Sequence, residues 1–176
     1  MPAQYLFILL FMSQHTFSLF QFDKDTDLDT WQIVNDGVMG GRSKGQLSLN
    51  DQGHGVFEGY VSLENNGGFT MIQHRFKPVD VEDFSALEIR VKGDGKPYQI
   101  RLKSSSSQYY NYACRVETTG QWQNIQIPFE NFLPQFRGAK LNKAAYPGEQ
   151  LGEVAILIGN KRAEDFRIEI DAIYLR

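Results

Sequence analysis

Phe166-Arg-Ile-Glu-Ile-Asp-Ala-Ile173 sets Phe166, Ile168, Ile170 and Ala172 against Arg167, Glu169 and Asp171 in strict alternation. A period of two sends successive side chains to opposite faces, so this segment predicts a β-strand with one face in a core and the other toward water. The pattern recurs upstream. Leu87, Ile89 and Val91 alternate with Glu88, Arg90 and Lys92, and Ile100 and Leu102 alternate with Gln99, Arg101 and Lys103. Ile125, Ile127 and Phe129 alternate with Asn124, Gln126 and Pro128, while Val154-Ala-Ile-Leu-Ile158 is apolar on both faces and reads as a central, fully covered strand. Turn chemistry separates the runs at Gly93-Asp-Gly95, Ser104-Ser-Ser-Ser107 and Thr119-Gly120, and the stretch 134–150 is the main irregular insertion. Asn65-Asn-Gly-Gly68, between expected strands at 55–63 and 69–76, has the composition of a hairpin turn. No segment keeps a 3.6-residue period. An all-β sandwich or barrel of low helix content is therefore expected, and 176 residues make one domain with a sizeable core.

Charge and cysteine usage narrow the function classes. A net charge of −3, with basic residues scattered and no basic run, argues against a nucleic-acid partner. The single cysteine, Cys114, leaves no internal disulfide or cysteine zinc cluster and reads as a small buried hydrophobe. Residues 1–22 carry no Asp, Glu, Lys or Arg, and Tyr5–Met12 is an unbroken apolar run. As a helix that run covers about 12 Å of a hydrocarbon layer of about 30 Å, so no transmembrane span is expected. Its length suits a secretory signal peptide, with small residues at Thr16 and Ser18, and it does not look like an Arg-rich mitochondrial presequence. The expectation is a cleavable signal over 1–18 ahead of a single sandwich domain over 19–176, hence an exported or periplasmic chain. If the signal stays uncleaved, a cytoplasmic or membrane-associated chain with 5–20 as a first strand or arm is expected.

Two regions are candidate sites. Trp31-Gln-Ile-Val-Asn-Asp-Gly-Val-Met-Gly-Gly-Arg-Ser43 places Gly37, Gly40 and Gly41 around Met39, with Gly45 just beyond, and reads as a shaped loop. Structurally, Asp36 would cap nearby backbone N–H groups, the glycines would supply positive φ, and Met39 would plug one end of the core. Functionally, Asn35, Asp36, Gly37, Met39, Gly40, Gly41 and Ser43 would contact a partner or ligand, because loops on a rigid sandwich commonly carry binding. The second region is a strand face on which Tyr109, Asn111 and Arg115 sit with Arg101 and Lys103, an aromatic and basic patch of the kind that stacks and hydrogen-bonds a sugar. Trp122 opens a strand and is expected in the core.

Other signals are weaker. Gly41-Arg-Ser-Lys-Gly45 matches the G-x-S-x-G nucleophile elbow in letters, but a strand follows where that motif needs a helix. Asp23 or Asp25 with Asp171 could hold a structural Ca²⁺ where the chain ends meet, although Leu28 and Val34 stand where an EF-hand needs Gly and Glu. No nucleophile, base and orienting group can be assembled, so no enzyme, cofactor or catalytic metal is expected.

The 31–43 run closely resembles the signature of the complex I intermediate-associated protein 30 family, assembly factors of respiratory NADH:ubiquinone oxidoreductase. The resemblance continues in order through Tyr98-Gln-Ile-Arg-Leu102, Trp122-Gln-Asn-Ile-Gln-Ile-Pro-Phe129, Phe132, Phe136-Arg-Gly138, Ile158-Gly159 and Phe166–Ile173. It implies a galactose-binding-like β-sandwich (jelly roll), in agreement with the alternation. It also implies a non-catalytic interaction module that holds a protein partner or assembly intermediate. The alternative from the residues is an extracytoplasmic carbohydrate-binding module using the Tyr109 face.

Overall fold

A computed structural model describes residues 16–176; residues 1–15, and with them most of the expected signal, lie outside the described segment. In chain order the strands are β1 (Phe17–Gln21), β2 (Trp31–Asn35), β3 (Lys44–Leu49), β4 (Gly55–Val61), β5 (Thr70–Asp80), β6 (Ala86–Lys92) and β7 (Pro97–Lys103). They continue with β8 (Asn111–Glu117), β9 (Trp122–Pro128), β10 (Leu133–Phe136), β11 (Ala139–Lys140), β12 (Gln150–Ile158) and β13 (Glu164–Leu175). Helical turns among the described residues are short 3₁₀ pieces, as the lack of a 3.6-residue period predicts.

The strands form two antiparallel sheets packed as a sandwich. One runs β3-β4-β13-β6-β9, and the other runs β11-β10-β8-β7-β12-β5-β2. Strand β13, which contains the 166–173 alternation, is the spine of the first sheet. Its first half pairs with β4, its second half with β1 on the same side, and β6 lies along its other edge. Phe166, Ile168, Ile170 and Ala172 are buried as the alternation requires. From the second sheet Ile100, Leu102, Ile156 and Ile158 meet them, all fully buried. Each such side chain removed from water contributes about 1.5–3 kcal/mol before the cost of ordering the chain is set against it. Strand β12 lies between β7 and β5, buried on both faces, as its apolar run predicts.

Three expectations need correction. Asn65–Gly68 does not close a hairpin, because β4 and β5 belong to different sheets and this segment carries the chain between them. Its turn residues do adopt positive φ, at Asn65 (55°), Asn66 (59°) and Gly68 (140°), but that geometry serves a crossing as well as a hairpin. The two-residue hairpin turn is Arg137-Gly138, with φ of 49° and 81°, which joins β10 to β11 inside the stretch read as irregular. Trp122 lies on the outer face of the first sheet rather than in the core. There it is half-buried, edge-on to His54 at 4.6 Å and beneath the Arg90 guanidinium at 5.6 Å.

Candidate functional site

The 35–43 loop is a staple between the sheets. The Asn35 side-chain oxygen accepts from the Gly45 N–H at 3.1 Å in β3 and from the Thr70 hydroxyl at 2.5 Å in β5, one partner in each sheet. The buried Asp36 carboxylate accepts from the Ser43 N–H (3.1 Å) and hydroxyl (2.5 Å) on one side. On the other it accepts from the Gly68 N–H (2.7 Å) and the Phe69 N–H (3.3 Å). Ser43 is itself buried, and its oxygen accepts from the Ser62 N–H at 3.0 Å at the end of β4. Burial pushes the Asp36 carboxyl up, but the four hydrogen bonds to its charged form outweigh this and hold its pKa below the ordinary value.

The glycines fit around this carboxylate. A Cβ on Gly41 would fall inside the Asp36 carboxylate, so only a residue without a side chain fits there. Gly40 takes a left-handed φ of 82°, and its carbonyl accepts from the Asn65 side chain at 2.9 Å. Gly37 lies in the same 3₁₀ turn and faces open space. Placement of the Met39 side chain, expected to plug the core, lies outside what is described. The structural reading of the loop is therefore the one its geometry favours, through donors more distant in sequence than local capping implies.

The staple also positions a groove. Gly68 and Phe69, which Asp36 holds, form one end of an open groove of 820 Å³ across the outer face of the seven-stranded sheet. Outward residues of three adjacent strands make its floor: Gln99 and Arg101 from β7, Asn111 and Arg115 from β8, and Gln135 from β10. Tyr109, 62 % exposed, and Phe136 pack edge-on with ring centres 5.5 Å apart at the far end. Gln99 donates to Gln135 at 3.3 Å and accepts from the Arg101 Nε–H at 2.6 Å, so a row of amides and a guanidinium is held on the sheet surface.

Four of the five residues expected on this face, Arg101, Tyr109, Asn111 and Arg115, line the groove together. Lys103 does not. Its ammonium turns to the buried Glu153 carboxylate at 3.7 Å, which also accepts from Arg75 at 2.8 Å. Gln99, Gln135, Phe136, Arg137 and Lys161 were missed as site residues. The outward position of Gln99 was legible from alternation, whereas β10 and the loop after β12 gave no periodic signal.

The remaining candidates fall to other roles. Ser43 is buried and bonded to Asp36, whereas a nucleophile elbow exposes its serine. Asp23 accepts within its own turn from the Asp25 N–H and the Thr26 hydroxyl. Asp171 faces Arg90 at 2.8 Å and His54 at 3.8 Å. These acids are not gathered around a common point, and no group of three potential metal ligands converges among the described residues. Cys114 packs half-buried against the core, and burial pushes its thiol up. No helix among the described residues is long and apolar enough to cross a membrane.

Comparison with solved structures finds the same sandwich in a carbohydrate-binding module and in an agarase. The family 11 carbohydrate-binding module of a cellulosomal cellulase from Clostridium thermocellum superposes with a TM-score of 0.64 at 14% identity, covering 92% of this chain and 94% of that module. An agarase superposes with a TM-score of 0.61 at 12% identity, over 93% of this chain and 24% of the agarase. At such identities the likeness establishes the jelly-roll fold and nothing about ligand. In sequence, the mitochondrial complex I intermediate-associated protein 30 of Mus musculus is 25% identical over 88% of this chain and 54% of its own length. Its Drosophila melanogaster counterpart, also named mitochondrial, is 26% identical over 96% of this chain and 65% of its own length. The chain thus spans about half to two thirds of the relatives it matches. Their mitochondrial names overturn the expectation, drawn from the apolar N-terminal run, of an exported or periplasmic chain. The family model for complex I intermediate-associated protein 30 matches residues 20–170, which takes in both sheets, the staple and the groove, and this chain belongs to that family.

Proposed function

We propose that this chain acts in the assembly of respiratory complex I by holding a protein partner or an assembly intermediate against the outer face of its seven-stranded sheet. The observation that carries this reading is the family match over residues 20–170. The groove supplies the means. Tyr109, in the loop before β8, and Phe136, in β10, are exposed large hydrophobics lining its open end, and aromatic anchors beside hydrogen-bonding amides are what protein interfaces enrich. Native capture tests it: the tagged chain is recovered from cells that make it, and co-purifying proteins are identified. Complex I subunits or sub-assemblies are the expected partners, with recovery falling about tenfold for Tyr109→Ala/Phe136→Ala, two hot-spot aromatics removed from one surface. Recovery without any complex I subunit would refute the reading.

A second reading, a carbohydrate-binding module, draws support from the same aromatic-and-amide face, which suits stacking on a sugar ring. Retention on immobilised neutral polysaccharide in native electrophoresis, lost in Tyr109→Ala, would favour it.

A further inference from the structure

The chain carries net negative charge, yet its groove does not. Arg101, Arg115, Arg137 and Lys161 line it, and its lining contains no Asp or Glu. Arg115 pairs with Glu117 at 3.1 Å on the exposed rim. Arg101, Arg137 and Lys161 have no carboxylate within ion-pair distance among the described residues. Elsewhere on the same face the chain does neutralise its cations, as Arg75 and Lys103 show by converging on Glu153.

Arg101 is the most instructive of the four. Its cross-strand neighbours are Ala113 in β8 and Ala155 in β12, both buried, so the guanidinium lies at the centre of the sheet between two side chains too short to crowd it. Its Nε–H is already given to Gln99, which fixes the plane of the fork. The two terminal nitrogens donate to nothing among the described residues. A planar pair of free donors, fixed in orientation and half-buried, matches the two oxygens of a carboxylate in bidentate geometry. Burial lowers the pKa of this guanidinium and the charge of Glu153 raises it, so its solvation is reduced without a contact counter-ion.

Resting on the assembly reading above, we infer that the groove binds an acidic, extended segment of the partner polypeptide, with one carboxylate seated on Arg101 and apolar side chains against Phe69 and Leu157 at one end and Tyr109 and Phe136 at the other. Charge complementarity selects an anionic occupant. The apolar ends select a chain that alternates acidic with apolar groups over a free anion, which would leave most of the 820 Å³ empty. The amides of Gln99, Asn111 and Gln135 lie where a peptide backbone would need donors and acceptors.

The test uses a short fluorescent peptide of alternating Glu and Leu, and the same peptide with every Glu replaced by Gln. Anisotropy titrations against the wild-type chain are expected to give at least about tenfold tighter binding for the acidic peptide, weakening as salt is raised. Arg101→Gln is expected to remove that preference. Arg101→Lys should restore the salt dependence without the affinity, because an ammonium cannot present the fork. Far-UV circular dichroism checks each fold. In the wild type, peptide-induced NMR shifts should centre on the side-chain amides of Gln99, Asn111 and Gln135, a readout that survives even if a variant fails to fold. Equal binding of the two peptides, an unchanged Arg101→Gln, or shifts elsewhere would overturn the inference. So would tighter Arg101-dependent binding of inorganic phosphate, polygalacturonate or an oligonucleotide. Loss of peptide binding with complex I subunits still captured would remove the acidic-segment inference alone; peptide binding without such capture would remove the assembly reading instead.

Discussion

Asp36→Ala is expected to lower the free energy of unfolding by about 4 kcal/mol, read from urea denaturation, as four buried or part-buried donors lose this acceptor and only the Ser43 hydroxyl keeps another, the Ser62 carbonyl at 3.3 Å. The Ser43, Gly68 and Phe69 N–H groups and the Ser43 hydroxyl all converge on this carboxylate. A stranded buried donor costs about 1–3 kcal/mol, and the total stays below the sum because the 67–69 segment can turn partly to water. The pH dependence follows from the depressed pKa. A carboxyl whose folded pKa lies below its unfolded value of 3.8 contributes its full stability above that value. That contribution is lost as the pH falls through the folded pKa. The stability gap between wild type and Asp36→Asn should therefore be full near about pH 7 and shrink below about pH 4. A gap of constant size across that window would show that folding leaves the Asp36 pKa unchanged.

Gly41→Ala is expected to cost about 3 kcal/mol, nearly as much, and for a reason confined to one neighbour. The strain is steric rather than conformational, since Gly41 is not among the positive-φ residues, whereas its missing Cβ is the space the Asp36 carboxylate fills. In an Asp36→Gly background that space is empty. There the added cost of Gly41→Ala should drop below about 1 kcal/mol, a coupling of about 2 kcal/mol between the sites. Additive costs in this double-mutant cycle would mean that the glycine serves something other than the carboxylate.

These two residues show where reading the sequence succeeds and where it stops. The alternation in 166–173, 87–92 and 99–103 specified inward and outward faces correctly because a strand's side-chain period is fixed by backbone geometry alone. The same rule placed Arg101, Asn111 and Arg115 outward before their common groove was visible. It named the face of Lys103 but not its neighbour Glu153, since register across β7 and β12 is not encoded in either strand separately. Asp36 was recognised as a cap, yet two of its donors, Gly68 and Phe69, come from a segment that composition alone read as a hairpin. Trp122 failed for a related reason: an indole can be covered by an arginine and a histidine on an outer face as well as by a core. The apolar run at 5–12 suits more than one fate, and its length, with the small residues at Thr16 and Ser18, pointed to the wrong compartment.

In the proposed function this family member works through its groove, while the signature loop holds the sandwich and the groove end in shape. The most direct measurement replaces the native copy of the chain with Tyr109→Ala/Phe136→Ala and quantifies mature complex I on native gels. That variant trims only side chains at the groove's open end and should fold with a near wild-type urea midpoint. Complex I is expected to fall to a small fraction of its wild-type level, with sub-assemblies accumulating while the variant itself remains abundant. Full complex I in the presence of the folded groove variant would mean that the groove has no part in assembly.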